Sequence, residues 1–380
     1  LNISSLKDGR LDLLESDHVS DEDFSRWTRR VTPQGGDLLF SYETRLGEAA
    51  LMPEGVRACL GRRMALLRPD QSVVDPRFLL YMYLGPEFRS TIEQHTIHGA
   101  TVNRIPLKTM DKWMVQVPGL SEQRAIAEVL GSLDDKIAVN TDIADAAEAL
   151  AVSEIACFPR SVALGEVAVQ AKVSIDPQAL DSALVSHYAL PAFDAGREPE
   201  LVPPGSIKSS KFLVDQPGVL VSKLNPRFPR VWCIPDLPEF MALASTEFVV
   251  IRSNVCSPAV LWALTIQPTF GAALEGMVAG TSGSHQRVKP AEMLATEVAD
   301  PRVVSGSVLE RVEALVLRAI AARDENRTLA VTRDALLPHL MSGKLRVRDA
   351  ERIAEDPASA VEQLAQEGAR QAEAPSDGLW

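Results

Sequence analysis

Apolar side chains at Ile126, Leu130, Leu133, Ile137, Ala144, Ala147 and Ala151 advance in steps of four and three, with Asn140 as the polar member of the series. A helix over about 121–157 gathers that series on one stripe, the pattern of a coiled-coil seam. Val308, Val312, Leu315, Ala319, Ala322, Asn326, Leu329, Arg333, Leu336 and Leu340 predict a second helix over about 305–340, again with an asparagine near its middle. A seam asparagine weakens packing but fixes register, because its amide needs a polar partner. Asn140 and Asn326 are therefore expected to meet if the two rods pair. Both orientations are sterically open, and the antiparallel one is favoured because it separates the globular parts. A rod of roughly 35 residues spans about 50 Å, about one and a half turns of B-form DNA.

Outside the rods, short β-rich runs at 37–41 and 248–252 precede helices that begin at Asp75-Pro76 and Ser257-Pro258. A capping side chain followed by proline in the first turn is a helix-start signal. On the first of these helices Phe78, Leu79, Met82 and Tyr83 are expected to form core. Polar segments rich in Gly, Thr and Ser follow, at 98–104 and 280–287. These features recur in order: Ser41 with Ser222, Arg68 with Arg252, Pro76 with Pro258, Pro86 with Pro268, Phe88 with Phe270, Arg104 with Arg287, Asn140 with Asn326. A period of about 182 to 186 residues marks a duplicated domain, far longer than the repeats of solenoids or propellers.

A chain of 380 residues is long enough for two or three domains with their own cores. Cys59, Cys157, Cys233 and Cys256 stand far apart without metal-ligand spacing, so they read as buried apolar residues in a reducing compartment. No apolar run reaches the ~18 residues of a membrane span, and a cytoplasmic location is expected. The net charge of -12 argues at face value against nucleic acid. Its distribution changes the picture, since the first rod and the tail at 349–380 are strongly acidic while 305–348 is net basic. Any DNA-facing charge must be segregated on one face.

Catalytic motifs do not assemble. Gly276, Gly280 and Gly283 do not form a dinucleotide fingerprint, and Ser342-Gly343-Lys344 lacks the upstream glycine of a phosphate loop. Asn225-Pro226-Arg227-Phe228 departs at Arg227 from the Asn-Pro-Pro-Tyr/Phe motif of amino-methyltransferases and reads as a turn. The six histidines show no metal spacing. The chain is expected to be non-catalytic by itself.

LSEQRAIAEVLGSLDDKIAVNTDIADAAEALA (120–151) is similar to the central spacer helix of the DNA specificity subunit of type I restriction-modification enzymes, and LAVTRDALLPHLMSGKLRV (329–347) resembles its C-terminal spacer helix. GDLLFS (36–41) and LNISSLKDGRLDL (1–13) look like its target-recognition domain, and LGEVA (164–168) looks like the start of a second. The resemblance runs to about Arg348. It implies an α/β protein of two similar target-recognition domains, each a small sheet plus helices, joined by two long antiparallel spacer helices. The expected boundaries are 1–119, 120–158, 159–304 and 305–348, followed by an acidic Ala/Glu-rich tail at 349–380. Each domain would read one half of a bipartite site on double-stranded DNA. Ser41, Tyr42, Thr44, Arg45, Thr101, Asn103 and Arg104 are the contact candidates in the first half. Ser222, Lys223, Asn225, Arg227, Ser284, His285, Gln286 and Arg287 are their counterparts, with Asn140 and Asn326 setting helix register.

Two methyltransferase subunits and two restriction/translocase subunits are the implied partners. S-adenosylmethionine, ATP and Mg belong to them, and no cofactor or metal is expected on this chain. Two departures stand out. LGEVA opens about 54 residues before Gly218, whereas 36 residues precede Asp37, so the first domain is expected to lack part of its start. The tail lies outside the family pattern and is expected to be a short helix with a disordered end. Two other readings are the specificity part of a fused or single-component restriction enzyme, and a coiled-coil scaffold that ignores DNA.

Overall fold

The computed structural model describes residues 1–99, 102–278 and 286–357. From the amino end, strands β1 (Leu6–Lys7) and β2 (Arg10–Leu11) form a hairpin, followed by helix α1 (Asp21–Trp27). Strands β3 (Leu38–Ser41), β4 (Ala49–Leu51) and β5 (Met64–Leu67) precede helices α2 (Pro76–Leu84), α3 (Pro86–His95) and the long α4 (Leu120–Ala156). Next come β6 (Arg160–Ala163), α5 (Leu164–Val167), β7 (Val169–Ala171), β8 (Ser174–Ile175), β9 (Val185–Tyr188), α6 (Leu190–Gly196), β10 (Glu200–Val202) and β11 (Lys211–Val214). Strands β12 (Gly218–Ser222), β13 (Val231–Ile234), β14 (Ala242–Ala244) and β15 (Phe248–Arg252) lead to α7 (Pro258–Thr265), α8 (Pro268–Gly276) and α9 (Pro290–Ala295). The last elements are β16 (Glu297–Ala299), the long α10 (Gly306–Met341) and α11 (Val347–Glu355).

The chain forms two compact units, 1–139 with 325–380, and 140–324, so the division falls inside both long helices and not at their ends. In the first unit β3 is the centre of a three-stranded antiparallel sheet ordered β4-β3-β5. Helix α2 starts where expected: the Asp75 carboxylate accepts from the backbone of Arg77 and Phe78, with Pro76 in the first turn. It is buried on two sides and not on one. Leu79, Leu80 and Tyr83 join the sheet core, while Phe78 and Tyr81 pack on Ile126, Leu130 and Leu133 of α4 and Leu329, Leu336 and Leu340 of α10. Met82 is only half-buried and touches both clusters.

The helices within this unit run antiparallel, as favoured from the sequence. Arg333 meets Asp134 at 2.7 Å while Lys136 meets Glu325 at 2.5 Å, so numbers rise on one helix as they fall on the other. Asn326 donates its amide to the Ile137 carbonyl at 3.0 Å, so a main-chain acceptor satisfies part of its need. Helix α11 alters the expected tail boundary. Its Ala350 is fully buried and Ile353 and Ala354 pack on the same helical cluster, so 347–355 belongs to the unit's core. The remainder of the tail, 358–380, lies outside the described residues.

In the second unit two sheets lie together, β13-β12-β15-β7 and the five-stranded β10-β9-β14-β11-β8, which includes one parallel pair, β14 with β9. A two-stranded β16-β6 ribbon completes it. The end of α4 and the start of α10 again pair antiparallel, with Arg323 to Glu148 at 2.5 Å and Arg311 to Glu154 at 3.0 Å. Their seam is alanine, Ala144 and Ala147 against Ala319 and Ala322, and Asn140 is buried beside it. Cys157 is exposed and Cys59, Cys233 and Cys256 are half-buried, which corrects the expectation of four buried thiols. Burial pushes the Cys233 thiol up to about 12, so it stays protonated. No described helix is long and apolar enough to cross a membrane.

Candidate nucleic-acid interface

The inner strand of each small sheet runs out into the same hydrogen-bonded loop. Ser41 ends β3 and Ser222 ends β12; both are buried, and each hydroxyl donates to a carbonyl two residues on, Glu43 at 2.8 Å and Leu224 at 3.1 Å. The next residue donates its N–H to the residue ahead of the neighbouring strand, Tyr42 to Arg63 and Lys223 to Glu247, both at 3.0 Å. The same residue's carbonyl accepts from Ile105 at 2.8 Å in one unit and from Val288 at 3.0 Å in the other. Two residues later Thr44 donates to the Asn103 carbonyl at 3.4 Å, as Asn225 donates to the Gln286 carbonyl at 2.9 Å. Thr44 at φ 77 and Asn225 at φ 49 both turn through the left-handed region. The frames are thus alike bond for bond, and β-bridges from Glu43 to Arg104 and from Leu224 to Arg287 close them.

The side chains on the two frames differ. Tyr42 corresponds to Lys223, Glu43 to Leu224, Thr44 to Asn225, Arg63 to Glu247 and Asn103 to Gln286, whereas Arg104 and Arg287 agree. Thr44, Asn103, Arg104, Arg227 and Arg287 are exposed; Tyr42, Arg45, Lys223, Asn225 and Gln286 are half-buried. Arg287 sits in a two-pronged ion pair with Glu247 at 3.0 and 3.1 Å, and that hydrogen-bonded carboxylate raises its pKa further. Arg63, at the place of Glu247, pairs with Glu43 at 3.3 Å. His98 Nδ1 lies 3.3 Å from Asn103 Oδ1, and the guanidinium of Arg227 lies 5.9 Å from the ring centre of the exposed Phe228. Asn225 Oδ1 is buried with no hydrogen-bond partner among the described residues.

The sequence candidates separate accordingly. Ser41 and Ser222 use their hydroxyls to shape the loop. Arg45 reaches back to the Ile3 carbonyl at 3.0 Å and to Glu48 at 3.4 Å, holding the amino-terminal turn. Tyr42, Thr44, Asn103 and Arg104 come together in the first unit, and Lys223, Asn225, Gln286 and Arg287 in the second. Arg227 lies two residues beyond Asn225. Thr101, Ser284 and His285 lie outside the described residues. Arg63 and Glu247 were not anticipated, because nothing in the sequence marks a residue whose importance comes from sheet register. Among the described residues no cluster of His, Cys, Asp and Glu could hold a metal ion.

Two α/β units each carry a polar loop at the end of a small sheet and a share of an antiparallel helical pair. Residues 20–149 match the family described as Type I restriction modification DNA specificity domain. A curated relative, the putative type I restriction enzyme MjaX specificity subunit of Methanocaldococcus jannaschii, is 27% identical over 146 residues, 36% of this chain. The match spans about a third of that relative's length, 32%. Among solved structures, the HsdS subunit from Thermoanaerobacter tengcongensis shares 14% identity over 90% of each chain, with a TM-score of 0.32. The type I restriction-modification system S subunit from M. genitalium shares 14% identity over 81% of this chain and 83% of that one, with a TM-score of 0.48.

Proposed function

We propose that the chain is the DNA specificity subunit of a type I restriction-modification system, each unit reading one half of a bipartite double-stranded target. The observation that carries this reading is one backbone frame built twice with different side chains on it. A fixed frame with exchanged donors and acceptors is what two readers of two different half-sites require, since base edges are distinguished by the side chains presented to them. Arg104 and Arg287 are the shared groups and suit the phosphate backbone. Tyr42, Thr44, Asn103, Lys223, Asn225, Arg227 and Gln286 are the differing ones and suit base edges. Asn140 and Asn326 fix the register of the helical pair, which sets the gap between the half-sites.

In this reading the chemistry belongs to partners. Two methyltransferase subunits transfer methyl groups to adenine from S-adenosylmethionine, and two restriction/translocase subunits use ATP and Mg. This chain supplies specificity in the cytoplasm and holds none of those cofactors itself. The test is to map methylated adenines in a host genome with and without the gene. A two-part motif should disappear on deletion, and an unchanged methylation map would defeat the reading.

A further inference from the structure

Lys211 opens β11 and is only 6% exposed. Its ammonium carries three N–H donors, and two of them end on one residue, the Ser209 carbonyl at 2.9 Å and the Ser209 hydroxyl at 2.7 Å. Among the described residues no carboxylate lies within ion-pair distance of it. In a chain with 51 acidic and 39 basic side chains an acid partner would be easy to supply. A buried charge left without one is costly, and burial lowers the Lys211 pKa accordingly. The missing counter-charge points to a partner from outside the chain.

Strand register puts this group at the rim that carries the polar loop. β11 runs antiparallel to β14 with Phe212 opposite Ala244, so Lys211 falls beside Ser245. Ser245 opens a tight turn that Phe248 N–H closes at 2.9 Å, and within that turn the Glu247 carbonyl accepts from Lys223 of the loop. Segment 208–211 therefore stands at the same end of the second unit as Lys223, Asn225 and Arg287. Lys208, Ser209 and Ser210 are exposed there. The Ser209 hydroxyl, having accepted from Lys211, keeps its own proton for an acceptor that no described residue provides. A hydroxyl polarised by an ammonium is a stronger donor than a free one.

We propose that segment 208–211 holds a phosphate oxygen of the DNA backbone, the Ser209 hydroxyl donating to it and the Lys211 ammonium behind supplying the charge. The inference rests on the DNA reading above and extends the contact surface from the loop to the neighbouring sheet. Charge-assisted bonds to phosphate are the strong ones. Phosphate contacts fix position without reading sequence, which suits a segment tied to the sheet frame more than the exchangeable side chains of the loop. A role confined to shaping the segment would need only a neutral donor.

The test titrates the full chain against a mixed-sequence duplex over a series of salt concentrations, because a backbone contact is independent of sequence. Lys211→Met should weaken binding about tenfold and flatten the dependence of log K on log salt by about one. It should leave the unfolding transition of the second unit in place or raise it, since an uncompensated charge is gone. Ser209→Ala, exposed and without change of charge, should weaken binding about threefold, so a loss there reads the contact and not the general field. A lowered transition in Lys211→Met together with wild-type binding by Ser209→Ala would mark Lys211 as structural and overturn the inference. Unchanged affinity in Ser209→Ala with an unchanged slope in Lys211→Met would overturn the site while leaving the DNA reading intact, whereas a wild-type chain that binds no duplex would overturn both. Inorganic phosphate, titrated without DNA and read by thermal protection, distinguishes the source. Protection that is lost in Ser209→Ala, beside an unaltered duplex affinity, would assign the site to free phosphate and overturn the DNA assignment.

Discussion

Helices α2 and α7 hold the same place in their units and are fastened by different physics. On α2, Arg77 donates to the Gly131 carbonyl at 3.0 Å and to Asp135 at 2.5 Å, and the Tyr81 hydroxyl donates to Asp134 at 2.6 Å. Arg333 reaches the same Asp134 at 2.7 Å. Gly131 leaves the room for this, since a Cβ there would fall 2.5 Å from the Arg77 guanidinium carbon. On α7 the positions of Arg77 and Tyr81 are Ala259 and Ala263, and every residue from Ala259 to Thr265 is buried. One apolar cluster there runs from the sheet through α7 to Ala151 and Ile155 of α4 and Val312 and Val316 of α10. In the first unit the helical cluster and the cluster between sheet and α2 are separate and share only Val74 and Met82. An apolar joint gains from burial alone. A joint of partly buried charges must offset their desolvation and is undone when one partner is lost.

The largest predicted effect is in the apolar joint. Trp262→Ala removes an indole whose N–H donates to the Val231 carbonyl at 3.1 Å and should cost about 3–5 kcal/mol, measured by denaturant unfolding of the second unit's transition. Asp134→Ala strands Tyr81 and Arg333 together and should cost about 2 kcal/mol, below the usual figure for a fully buried pair because Arg333 keeps some solvent contact. Replacing Asp134 and Arg333 jointly by Leu and Met should recover most of that loss, and failure to recover it would show that the joint is not ionic in character. Amide exchange in α2, but not in α7, should quicken as salt is raised.

A smaller contrast separates the loops. Arg287→Ala frees the Glu247 carboxylate beside the proposed DNA-facing loop, whereas Arg104→Ala uncovers no such acid. Half-site affinity at fixed salt should fall for both, by about tenfold for a phosphate-contacting arginine, and further for Arg287→Ala, with Glu247→Gln reversing the excess. The smallest effect concerns His187. Its pKa lies below the usual 6.5, chiefly through burial and then the charge of Lys211, against the pull of Glu200. A base with a depressed folded pKa is protonated first in the unfolded chain, so the second unit should lose stability as pH falls through about 6.5 and keep it above. His187→Gln should flatten that limb of the melting profile.

The long helices were legible because their seams repeat for about seven and about nine turns and little else has that period. The starts of α2 and α7 were legible from Asp75-Pro76 and Ser257-Pro258. The five-stranded sheet was not, because its strands are two to four residues long and carry no sustained alternation. Gln123 and Gln267 were invisible as well, although each is buried and ties helix to domain: Gln123 bonds Val73, Asp75 and Pro118, and Gln267 bonds Val152 and Ala263. Their meaning lies in distant main-chain partners. For the loops, sequence located the polar segments and the shared arginine, while Arg63 and Glu247 emerged only from strand pairing. Ser41 and Ser222, also offered as contacts, are buried with their hydroxyls bonded to carbonyls of their own loops.

Thr44 bends through a backbone region that a β-branched side chain enters at a cost of about 1–3 kcal/mol, and Asn225, a residue at ease there, does the same work in the other unit. The loop's path is therefore dictated by main-chain bonds rather than by the identity of the residue that follows it. Under the proposed reading, exchanging this residue changes the donor or acceptor offered to a base edge while the main-chain bonds keep the loop's path, and the residues at ease with positive φ are the ones it tolerates at least cost.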